Sequence, residues 1–126
     1  MPGKSQLTDA EAFDHCGTLL AKIARKGWGF DLTNDDIASL ARARKLVTQL
    51  VHELSAPRLA VKRARHIRSL LRKLHTDVDY SRKETFIFAI AHLGLVLVGI
   101  EGKVEHPDDE VRRAAKLCNA LSHEFE

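Results

Sequence analysis

Thr85-Phe-Ile-Phe-Ala-Ile-Ala-His-Leu-Gly-Leu-Val-Leu-Val-Gly-Ile100 is the longest stretch of this chain without a charge, and its reading decides the fold. It is sixteen residues long, holds His92 and Gly94 inside it, and lies between Arg82-Lys83-Glu84 and Glu101. A bilayer-spanning helix needs roughly 20 apolar residues, so this run is too short and too interrupted to span. No segment of the chain sustains the period-two alternation of a half-buried strand. The run is therefore read as a buried helix. Ser81-Arg82-Lys83-Glu84 is a capping box that opens it, and Gly99 and Gly102 fray its end. A helix that is apolar nearly all round must be wrapped by other helices or by a second subunit. The expected architecture is an all-α, compact bundle of about five helices with a central apolar fourth helix. Self-association through that helix is also expected, with Gly94 and Gly99 permitting close approach.

The rest of the chain supplies the wrapping helices. Thr8-Asp9-Ala10-Glu11 is a further capping box, followed by a stripe of Ala12, Phe13, Cys16, Leu19, Leu20, Ile23 and Ala24. Gly27-Trp28-Gly29 stops that helix. Thr33 or Asn34 caps the second, with Asp35 and Asp36 in its positive first turn. Its inward stripe is Ile37, Leu40, Ala43, Val47, Leu50, Val51 and Leu54. Pro57 marks the first turn of a third helix over about 57–75. His106-Pro107-Asp108-Asp109-Glu110 opens a fifth, striped by Val111, Ala114, Ala115, Cys118, Leu121 and Phe125. The linkers are short, which favours antiparallel neighbours.

Length and composition bound the class. The 126 residues suit one domain spanning 1–126, with 1–7 a flexible N-terminus. Apolar residues at 44% and charged ones at 29% are those of a folded soluble protein, which argues against wholesale disorder. Two cysteines make no disulfide scaffold, and the N-terminus lacks the apolar segment of a secretory signal. The expectation is a cytoplasmic protein outside the membrane.

The net charge of +3 hides a strong asymmetry. Arg58, Lys62, Arg63, Arg65, Arg68, Arg72 and Lys73 fall within sixteen residues that contain no carboxylate. On the third helix, Leu59, Ala60, Ala64, Ile67, Leu70, Leu71 and Leu74 cover one arc. Arg58, Lys62, Arg65, His66, Arg68, Ser69, Arg72 and Lys73 cover the other. An ordinary solvated face mixes both signs, as the fifth helix does; this one has no internal partner at i+3 or i+4. Such a surface repels itself unless phosphates or carboxylates lie against it. The expected nucleic-acid contact is therefore Arg58, Lys62, Arg65, Arg68, Arg72 and Lys73, extended by Arg42 and Lys45 if the second and third helices pack as a hairpin. An acidic protein surface, or the acidic C-terminal helix of the chain itself, would satisfy the same charges. Arg63 alone projects into the apolar arc, where a guanidinium needs a carboxylate or carbonyl partner.

No base-reading motif accompanies the charge. Zinc-finger spacing, aromatic RNA-binding signatures and homeodomain patterns are all missing, and no aromatic lies in the basic helix to stack on bases. Contact to the phosphate backbone is what remains. Gly27-Trp28-Gly29-Phe30 reads either as a staple over the core or as an exposed aromatic anchor for a partner.

Seven histidines raise the question of catalysis. His92, midway along the apolar helix, reads as a core histidine bonded to a backbone or side-chain partner; a phosphorelay histidine would need exposure and a nearby Lys. Cys16 beside His15, and Cys118 with His123, do not make a zinc set. A pair five apart diverges by ~140° on a helix, and both cysteines lie on core stripes. No metal ligand or cofactor is expected. Arg68-Ser-Leu-Leu-Arg-Lys-Leu-His75 resembles the Arg-x(4–6)-His motif of HEPN-type helical-bundle ribonucleases. The resemblance covers two residues and an all-helical background, and it implies Arg68 and His75 acting at an RNA phosphate and 2′-hydroxyl across a dimer cleft. The leading expectation is a non-enzymatic binding or regulatory domain that presents its basic helix to nucleic acid or another polyanion. The alternatives are an inhibitor or adaptor docking on an acidic protein surface and, third, a HEPN-like ribonuclease.

Overall fold

Thr8 and Glu11 close the expected box in a computed structural model that describes residues 7–55, 61–72 and 83–125. The Glu11 amide donates to Thr8 Oγ1 at 3.1 Å and the Thr8 amide to Glu11 Oε1 at 3.0 Å, opening α1 (Asp9–Lys26). Gly27 ends it at φ 90°, where a Cβ is disfavoured, and donates its amide to the Ile23 carbonyl. Thr33, rather than Asn34, caps α2 (Asn34–Ser55). The Asp36 amide donates to Thr33 Oγ1 at 3.1 Å, and Asp36 Oδ2 accepts from the Thr33 amide at 3.0 Å. The remaining helices are α3 (Val61–Arg72), α4 (Lys83–Gly102) and α5 (Asp108–Glu124). Pro107 precedes α5, which has no side-chain cap but carries Asp108, Asp109 and Glu110 in its first turn. The helix start expected at Pro57 and the capping residue of the box expected at Ser81 lie outside the described residues.

The five helices form an all-α bundle. Its closest packing is α1 against α5; α2 covers α1 and α4, and α3 docks mainly on α5. Gly17 explains the α1–α5 approach. A Cβ there would stand 3.3 Å from the Ala115 carbonyl oxygen and 3.4 Å from Cys118 Cβ, close enough that α5 would have to give way by a few tenths of an ångström. The core takes Phe13, Cys16 and Leu20 from α1, Leu40, Val47 and Leu54 from α2, Ile67 from α3, Ile90, Leu93 and Leu97 from α4, and Val111, Cys118 and Leu121 from α5.

The α4 helix carries Ala89, Ile90, Leu93, Val96, Leu97 and Ile100 into the core as expected, but one of its stripes stays outside. Phe88, Leu95 and Val98 are 72%, 62% and 49% exposed. The glycines expected to admit a second subunit face inward instead: Gly94 lies against Val47 of α2, and Gly99 against His106. No described helix is long and apolar enough to cross a membrane.

Candidate functional site

The α3 helix is short and highly charged, so its attachment decides which charges are free. Ile67 is fully buried, and Ala64 and Leu70 pack on the core. Arg63 completes the anchor. Its Nε donates to Glu124 Oε2 and its Nη1 to Glu53 Oε2, each at 2.9 Å, and its guanidinium lies 4.8 Å from the centre of the Phe125 ring. Phe125 stacks in turn on Phe13 at 5.4 Å. His66 also meets Glu124 through Nδ1. One buried carboxylate at the C-terminal end of α5 thus holds two basic groups of α3. The carboxylate partner expected for Arg63 is present twice over.

Arg65 and Arg72 are on the outward side and exposed. Seven residues apart, they are about two turns, or ~10 Å, from each other on nearly one azimuth. Among the described residues neither has an acidic partner. Lys62 and Arg68 are on the same helix; Arg58, Lys73 and His75 lie outside the described residues.

The α2 cations stand apart from this face. The Arg42 Nη2 and Nε atoms meet Asp9 Oδ1 at 2.7 and 2.8 Å, tying α2 to the first turn of α1. Lys45 is exposed beside it, in a shallow groove bordered by Leu7, Asp9 and Gln49. Arg44 is likewise paired, with Glu101 of α4 at 2.8 Å. Arg42 is eleven residues from Glu53, the point where α3 meets α2, which is ~16 Å along the helix. The acidic helix α5 therefore anchors α3, and α2 meets it near Glu53.

The two cysteines are confirmed as core residues. Burial pushes the Cys16 thiol up to about 12, with Asp36 and Glu101 adding to it, and burial likewise raises Cys118. Neither is a nucleophile at neutral pH. Trp28 packs partly buried over the core, its ring 6.2 Å from Phe30 and 6.5 Å from the His106 ring, as the staple reading requires.

One grouping escaped the sequence reading. His92 Nε2 lies 3.1 Å from Glu110 Oε1, and His106 Nδ1 lies 3.3 Å from the same oxygen. His92 does have the side-chain partner expected of it, but it is only partly buried and it borders an open cleft between α4 and α5. The pair His106 and Glu110, four apart across the start of α5, was a visible spacing. Its convergence with His92, fourteen residues upstream, depends on how the Lys103–His106 connection returns the chain.

No protein-family model matches this chain, and no curated sequence or solved structure is significantly similar to it.

Proposed function

We propose that this protein is a non-enzymatic binding domain that presents α3 to the phosphate backbone of a nucleic acid. The observation that carries the reading is the division of labour along α3. Arg63 and His66 are spent on Glu53 and Glu124, while Arg65 and Arg72 face solvent on a helix that has no carboxylate. Exposed cations exert a field that favours a polyanion, and phosphate contact releases counterions from it. Lys62, Arg68, Arg58 and Lys73 belong to the same stretch of sequence and extend the proposed contact; Lys45 is a separate, more distant cation, and Arg42 contributes little beyond its pair with Asp9. Fluorescence anisotropy with labelled duplex DNA and single-stranded RNA tests the reading. Binding that weakens steeply with salt supports it; no binding to either probe at low salt removes it, and an acidic protein surface then becomes the occupant to seek.

A second reading concerns assembly. Phe88, Leu95 and Val98, with exposed Ala91 between them, form an apolar stripe along α4 that the bundle leaves open. We propose that a second copy of the chain covers it, giving a homodimer. Sedimentation equilibrium checks this: the wild type sediments as a dimer and Leu95→Glu as a monomer. A monomeric wild type at high concentration overturns the proposal.

A further inference from the structure

His92, His106 and Glu110 come from three places: the middle of α4, the residue before Pro107, and the first turn of α5. Their donor atoms, two imidazole nitrogens and one carboxylate oxygen, all lie within 4.8 Å of one another. Zinc binds such ligands at ~2.0–2.2 Å, and a tetrahedral ion therefore spaces its donors by about 3.3 Å. The two histidine-to-carboxylate distances, 3.1 and 3.3 Å, already match that spacing. The third separation needs to close by no more than about 1.5 Å, within reach of small side-chain rotations.

The surroundings hold both rings in place. Trp28 stacks against His106 at 6.5 Å and 27°, and Phe88 against His92 at 6.4 Å and 9°. The two imidazoles meet edge to face at 6.2 Å. Gly99 makes room for His106, since a Cβ there would lie 2.7 Å from Nε2. The positive end of the α5 dipole opposes a cation at this point, but Asp108, Asp109 and Glu110 in the same turn offset it.

We propose that His92, His106 and Glu110 form a binding site for one transition-metal ion of the zinc type. Two imidazoles and a carboxylate are the donor set of an ion with imidazole affinity, and three protein ligands leave a tetrahedral ion one further position. His92 and Glu110 also line the cleft between α4 and α5, roughly 600 Å³ in volume, whose walls include Phe88, Leu93 and Leu117 and whose rim holds Arg113. Water or a small ligand entering that cleft can reach the fourth position. This site is independent of the α3 surface, and either stands without the other.

The test is a zinc titration of the untagged, chelator-treated full chain in competition with a chromophoric chelator, repeated with cobalt to read the coordination geometry from its absorption. The expected result is one ion per chain at micromolar affinity or tighter, with a tetrahedral cobalt spectrum. His106→Ala, His92→Ala and Glu110→Gln each weaken binding by at least about tenfold. His15→Ala and His52→Ala leave it unchanged. Circular dichroism of each variant checks that the helices persist, and Glu110→Gln, which keeps size and shape, carries the argument if an alanine variant unfolds. Failure to bind zinc, or binding that survives Glu110→Gln and both alanine variants, overturns the proposal and leaves the trio as a hydrogen-bonded brace between α4 and α5.

Discussion

Single side chains fix how the helices are held, and two of them give direct predictions. Glu124 is 8% exposed and takes Arg63 on one oxygen and His66 on the other. Removing it strands Arg63 on Glu53 alone, so Glu124→Ala should cost about 1–3 kcal/mol, toward the lower end because Arg63 is 31% exposed. The loss belongs to α3, so amide exchange in Val61–Arg72 should accelerate more than exchange in α1. Equal protection there would contradict the anchoring role. Asp36 makes the second case. Burial alone would raise its carboxyl, but the Thr33 amide, His15 and the Thr33 hydroxyl outweigh it and hold it below its ordinary 3.8. A depressed carboxyl adds stability above its unfolded value and loses it as pH falls through the folded one. Urea midpoints should therefore drop as pH falls below 3.8, and Asp36→Asn should flatten that drop. An identical acid profile in the variant would rule out Asp36 as a source.

At the scale of helices, caps and periodicity carry most of the information. The box at Thr8 was readable because it satisfies two amides within four residues of sequence, whereas at the start of α2 the sequence left Thr33 and Asn34 both open as the cap. The stripes of α1 and α5 were readable because a 3.6-residue period marks the face turned inward. What sequence did not supply was which helix meets which. Gly17 sits inside the α1 stripe with no turn signal around it, and only the tertiary approach of Ala115 and Cys118 gives it a purpose. Gly17→Val should lower stability by about 1–3 kcal/mol, because its branches must displace α5 backbone. A urea midpoint equal to the wild type would mean that α1 and α5 can separate at no cost. Similarly, the inward roles of Gly94 and Gly99 follow from the packing of α2 and from the position of His106, not from helix pattern.

For the whole molecule, the all-α bundle was legible in the sequence because every long segment announced a helix and none a strand. The α3 surface was legible only as charge. Its anchoring acids, Glu53 and Glu124, come from positions ten and sixty-one residues away from Arg63, a separation that no local pattern encodes. The trio of His92, His106 and Glu110 was hidden for the same reason. The bundle thus sorts its basic residues into those that close the structure and those that face outward, and the proposed function rests on the second group. The most direct measurement is the salt dependence of duplex DNA binding for the wild type and for the Arg65→Glu/Arg72→Glu variant. The account predicts a steep log–log slope for the wild type that becomes shallower by about two phosphate contacts in the variant, with helical content unchanged. Equal slopes and affinities in the two proteins would contradict it.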